Sequence, residues 1–147
     1  MESIVIATDG SDLASTALDH GLRLASDLGA RAVITSVWRI PAGDFGAAYA
    51  GFATEELLRA ERERAERALG AAAKRAGELG VSSTTVLREG DPASEIAAVA
   101  DEVQARLIVA GSHGWGAVHT AISGSVAAGV LHHSRRPVLL VREGTDA

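Results

Sequence analysis

The chain has 147 residues, 47% of them hydrophobic and 22% charged, a balance that fits one folded domain spanning residues 1–147. A formal net charge of −5 and an aromatic content of only 3% argue against nucleic-acid binding, which draws on basic faces and stacking platforms. The absence of cysteine excludes disulfides, thiol nucleophiles and Cys-ligated metals.

Met1-Glu2-Ser3 lacks the basic start of a signal peptide, and no apolar run reaches the roughly 20 residues that cross a bilayer. A cytoplasmic, membrane-free setting is therefore expected. Ile4 to Ala7 is a short apolar run ended by Thr8-Asp9-Gly10, which reads as a buried strand. Ser11 and Asp12 supply cap and first-turn chemistry for a helix whose apolar face is Leu18, Leu22, Ala25 and Leu28, with Gly29 as its stop. Ala32 to Trp38 is a second strand. A glycine-containing loop, 39–53, leads to a long helix from Thr54 to about Leu79, rich in Ala, Glu and Arg. Glu55/Arg59 and Glu63/Arg67 stand at i,i+4 and predict ion pairs on its exposed face.

Ser83 to Leu87 is a third strand. Gly90-Asp91-Pro92 is a turn into a helix, with Asp91 as cap, Pro92 at the first helical position, and Ile96, Val99, Ala100 and Val103 facing inward. Leu107 to Ala110 is a fourth strand, followed by a glycine-rich loop from Gly111 to Gly124. A helix from Ser125 to about His133 and a last strand, Pro137 to Val141, complete the chain. Alternating strands and helices, with strands read as apolar runs, predict an α/β fold: a doubly wound parallel sheet of five strands with helices on both faces.

In such sheets ligands bind beyond the carboxyl ends of strands, where strand order reverses. Two segments there carry chemistry: Thr8-Asp9-Gly10-Ser11 and Gly111-Ser112-His113-Gly114-Trp115-Gly116. Gly111 and Gly114 let backbone amides approach an anion, and Gly124-Ser125-Val126 opens a helix whose first amides suit phosphate. On the residues alone, Asp9 also reads as a turn residue bonding its own backbone, and Ala7 and Val37 read as plain core. Neither a Walker loop nor a dinucleotide fingerprint is present.

Gly111-x2-Gly114-x9-Gly124-Ser125 is similar to the nucleotide-binding signature of the ATP-binding branch of the universal stress protein family. Ile4 to Ser11, Gly90-Asp91-Pro92 with Glu95-Ile96, Leu107 to Gly114 and Pro137 to Val141 also resemble that family, across nearly the whole chain. The resemblance implies an adenine nucleotide alpha hydrolase-like fold with strand order 3-2-1-4-5. It implies Ala7 and Val37 lining an adenine slot, Asp9 beside the adenosine and Ala110 bordering base or sugar. Gly111, Gly114, Gly124, Ser125 and Val126 would then hold ribose and phosphates. It further implies a homodimer through Val138–Val141.

The segment Ser112–Ser123 departs from a strong phosphate clamp, since it holds no Lys or Arg and only His113 and His119. ATP would then depend on backbone donors and Mg²⁺, and AMP, ADP or cyclic AMP stay open as ligands. No spacing supports His113, His119, Asp9 or Ser125 as catalytic groups, and no metal-ligand spacing occurs. Thr8-Asp9-Gly10-Ser11-Asp12 also differs from the Ser-Gly-Gly-x-Asp-Ser loop of ATP pyrophosphatases. The expected function is an ATP-binding regulatory protein of the universal stress response. The alternatives are a weak ATPase or self-phosphorylating enzyme, and an interaction domain without ligand.

Overall fold

The computed structural model describes residues 1–39, 54–112, 124–142, 144 and 146. The elements run β1 (Ser3–Ala7), α1 (Asp12–Leu28), β2 (Arg31–Trp38), α2 (Thr54–Glu78), β3 (Ser83–Glu89), α3 (Pro92–Glu102), β4 (Leu107–Gly111), α4 (Ser125–His133) and β5 (Val138–Val141). The strands form one five-stranded sheet in the order β3-β2-β1-β4-β5, with every neighbouring pair parallel. The sheet is thus the expected doubly wound type. Among the described residues, no helix is long and apolar enough to cross a membrane.

Local chemistry sets the helix ends. Ser11 Oγ accepts from the Ala14 amide at 3.2 Å and starts α1. Gly29 stops α1 in the left-handed conformation, φ 60°, which costs glycine nothing. Asp91 caps α3 by accepting from the Ser94 amide at 3.0 Å and the Ser94 hydroxyl at 2.9 Å. These donors, aided by Arg39 and His133, hold the Asp91 carboxyl below its ordinary range against the opposing effect of burial. The cap's stabilisation is therefore present at neutral pH and lost as pH falls through the folded-state value.

Side-chain alternation along the strands divides the core in two. Ile4, Ile6, Ile34 and Val109 face Leu18, Leu22, Leu69 and Ala72 of α1 and α2. Val5, Ala7, Val33, Ile108 and Ala110 face Ile96, Val99, Val126 and Val130 of α3 and α4.

Three details differ from the sequence reading. β3 continues through Arg88 and Glu89 because β2 supplies partners out to Trp38↔Glu89, and pairing outweighs the polar side chains. Leu28, at the last turn of α1, is 39% exposed and lies outside the core. Neither Glu55/Arg59 nor Glu63/Arg67 closes to 4.0 Å among the described residues, whereas Arg62 and Glu66 meet at 3.1 Å. Exposed pairs differ so little in energy that spacing alone does not select between them.

Thr35 is fully buried in β2, and its Oγ1 has no hydrogen-bond partner among the described residues. Leaving a hydroxyl unpaired in an apolar core costs about 1–3 kcal/mol. Thr35→Val keeps the branched shape and should raise the unfolding free energy by about 1 kcal/mol in a urea titration. A lower midpoint would mean that the hydroxyl is satisfied in solution.

Candidate functional site

β1 leads away to β2 on one side and neighbours β4 on the other, so strand order reverses between β1 and β4. The register Ile6↔Val109 brings the next residues, Ala7 and Ala110, side by side where the strands end. Val37 comes up beside them on β2, and Val126 on the first turn of α4. Ala7, Val37, Ala110 and Val126 all belong to the one buried cluster on the α3–α4 face. Four of the nine expected site residues are thus brought together. Core packing requires the same proximity.

Gly111 is a correction to the sequence reading. It is the last residue of β4, paired with Val141, and not the first residue of a loop. The Ser112 amide continues the ladder by donating to the Val141 carbonyl at 2.9 Å. Gly114 lies outside the described residues, as do His113, Trp115 and His119 and the segment 40–53.

Gly124 precedes α4 in the left-handed region, φ 100°, and provides no side-chain cap. This distinguishes α4 from α1 and α3, whose first turns are capped by Ser11 and Asp91. The first amides of α4, on exposed Ser125 and buried Val126, therefore suit an outside acceptor and carry the positive end of the helix dipole. The placement of α4 is set one turn later. A Cβ on Gly129 would lie 2.6 Å from the Ala93 Cβ of α3, so glycine alone permits this approach.

Asp9 occupies a turn. Its Oδ1 accepts from the Ser11 amide at 2.9 Å, and Thr8 Oγ1 accepts from the Gly10 amide at 3.3 Å. Gly10 has φ 80°, and a Cβ there would lie 3.2 Å from the Ala68 Cβ, so the turn is pressed against α2. Asp9 lines a cleft of about 450 Å³ on the α1–α2 side, opposite the face that holds Ala7 and Val126. Across that cleft stand Arg64, Arg67 and Arg75. Arg75 is committed to Asp19 through Nε at 2.8 Å and Nη2 at 3.2 Å, and the bonds and charge of Asp19 raise its pKa above the ordinary value. The arginines went unread in the sequence as a lining. Their one-turn spacing, 64 and 67, was visible, but the position of α1 opposite them is not a local property.

Residues 1–142 match the universal stress protein family. A universal stress protein of Methanocaldococcus jannaschii is 32% identical over 142 residues, which cover 97% of this chain and 82% of that protein. A universal stress protein crystallised in complex with cAMP is similar in structure, with TM-score 0.72, 28% identity, and coverage of 95% of this chain and 96% of that one. A universal stress protein from Archaeoglobus fulgidus in complex with dAMP gives TM-score 0.68 and 26% identity, over 95% of this chain and 97% of that one.

The contact of Gly129 with Ala93 should be sensitive to a single methyl. Gly129→Ala has to push α4 away from α3, and overpacking of this kind costs about 1–3 kcal/mol. We expect a lowered thermal midpoint, in spite of the better helix propensity of Ala. A raised midpoint would show that α4 has slack at this point.

Proposed function

Because this chain belongs to the universal stress protein family, we propose that it is a cytoplasmic regulatory protein of the ATP-binding branch, taking an adenine nucleotide at the joined ends of β1 and β4. The observation that carries this reading is the N-terminus of α4, without a side-chain cap among the described residues, next to the cluster of Ala7, Val37, Ala110 and Val126. The buried cluster marks the strand ends at which a base would dock, and the helix start offers amides for phosphate.

In this reading Ala7 and Val37 line the adenine slot, and Ala110 borders base or sugar. Asp9 faces the adenosine with the carboxylate oxygen that the Ser11 amide leaves unused. Gly111, Gly124, Ser125 and Val126 take ribose and phosphates through main-chain amides and the Ser125 hydroxyl. Gly114 shares that role on the strength of the sequence signature. The similar structures with cAMP and dAMP support an adenine nucleotide as the ligand class. Among the described residues no three carboxylates or imidazoles converge, so Mg²⁺ would come with the phosphates of ATP.

Binding would alter a surface that a partner reads. Slow ATP hydrolysis or self-phosphorylation is the second reading, because held phosphates with one metal ion favour it modestly. β5 supports a homodimer. It pairs with β4 on one side only, and Leu139 is 41% exposed.

Denaturing freshly purified protein should release an adenine nucleotide, identifiable by chromatography. Ligand at 100 times its dissociation constant should stabilise the fold by about 2.7 kcal/mol. A thermal-shift series with ATP, ADP, AMP and cyclic AMP, with and without Mg²⁺, ranks the candidates. Gly114→Val should abolish the shift while leaving the unliganded midpoint in place. No shift with any of the four would end the nucleotide reading, and phosphate release well above background would favour the enzymatic one. Native mass spectrometry should give twice the chain mass, and a monomer would remove the β5 interface.

A further inference from the structure

Apart from Asp9, the lining of the cleft between α1 and α2 is not used by the nucleotide reading. Its floor is apolar, built from Leu18, Ala68 and Ala72, all buried. One wall carries Arg64 and Arg67, one helical turn apart on α2. The facing wall is the turn Thr8–Ser11 followed by Ser15 of α1.

Among the described residues no carboxylate lies within 4.0 Å of either Arg64 or Arg67. Arg62 and Arg75 of the same helix, by contrast, are engaged by Glu66 and Asp19. In a chain of net charge −5, two adjacent guanidiniums turned toward a cleft without carboxylate partners form a local excess of positive charge. The hydroxyls opposite them are already used as acceptors. Thr8 Oγ1 accepts from the Gly10 amide, and Ser11 Oγ from the Ala14 amide. Each hydroxyl proton is therefore left to donate.

The walls are also held in place. The two-point bond of Arg75 to Asp19 ties α2 to α1, and Gly10 is seated against Ala68. The one carboxylate of the cleft, Asp9, has Oδ1 occupied by the Ser11 amide. Two guanidiniums facing hydroxyl donors over an apolar floor match a phosphoryl group, whose oxygens accept from several directions. A volume of about 450 Å³ exceeds the needs of a bare oxyanion and falls in the range of small-molecule sites.

We propose that the α1–α2 cleft is a second site, separate from the one at α4, which binds a phosphoryl group through Arg64 and Arg67. The group is either free phosphate or the head of a small phosphorylated metabolite.

The test is calorimetric titration of the full chain with inorganic phosphate and with glycerol 3-phosphate, at constant ionic strength set with chloride. We expect saturable binding that weakens at least about tenfold in Arg64→Gln/Arg67→Gln. Arg59→Gln/Arg62→Gln removes the same charge from α2 outside the cleft lining and should leave the affinity unchanged. Tighter binding of glycerol 3-phosphate identifies the phosphorylated metabolite as the ligand, and equal or weaker binding identifies free phosphate. The proposal is overturned by no binding beyond chloride, by affinity retained in Arg64→Gln/Arg67→Gln, or by equal losses in both double variants. Loss of phosphate binding in Gly114→Val would also overturn it, by placing the anion at α4. The nucleotide thermal shift of Arg64→Gln/Arg67→Gln should remain that of the parent, so either reading can fail alone.

Discussion

Burial of β1 on both faces is the constraint from which the rest of the molecule follows. Every residue from Ser3 to Ala7 is buried, with Ile4 and Ile6 facing α1 and α2, and Val5 and Ala7 facing α3 and α4. A shift of one residue in register would exchange these sets and ruin both cores at once, so the pairing with β2 and β4 is strongly specified. A strand so enclosed cannot present chemistry along its length. Polar groups able to meet a ligand are confined to its end, and Thr8 to Ser11 is where they begin.

That turn was legible in the sequence because its causes are local. Ser11 as a cap, Gly29 as a stop and Asp91-Pro92 as a helix start each depend on the chemistry of one side chain over a few residues. The strand order was legible through the family resemblance, and the register agrees with it. Gly111 was misplaced for the converse reason. Glycine has weak strand preference, and its place in β4 is fixed by Val141, thirty positions along by sequence number. Gly129 gave no signal either, since its importance lies in the Ala93 Cβ on another helix. The exposed face of α2 was read from i,i+4 spacing, which is too weak an energy to decide where Arg67 points.

The two proposed sites would offer anions different receptors. At α4 the donors are main-chain amides, fixed in direction by the helix and by the approach permitted by Gly129. In the α1–α2 cleft the donors are guanidiniums on long side chains, with forks matched to tetrahedral oxyanions. Amides carry only partial charge and gain most from exclusion of water. Arginines carry whole charges and act over a longer range, more so over an apolar floor than in open solvent. On these proposals an acidic chain would hold two positive regions at one end of its sheet.

Both proposed receptors would adjoin the same short turn. Ala7 closes the α3–α4 side, Ser11 opens the α1–α2 side, and Asp9 stands between them with one oxygen bound to the Ser11 amide. Gly10 lies close to α2, where a Cβ built on it would stand 3.2 Å from the Ala68 Cβ. The bond of Arg75 to Asp19 holds α2 to α1. The turn, α1 and α2 are thus held as one unit, while α4 is positioned independently by its own contact with α3.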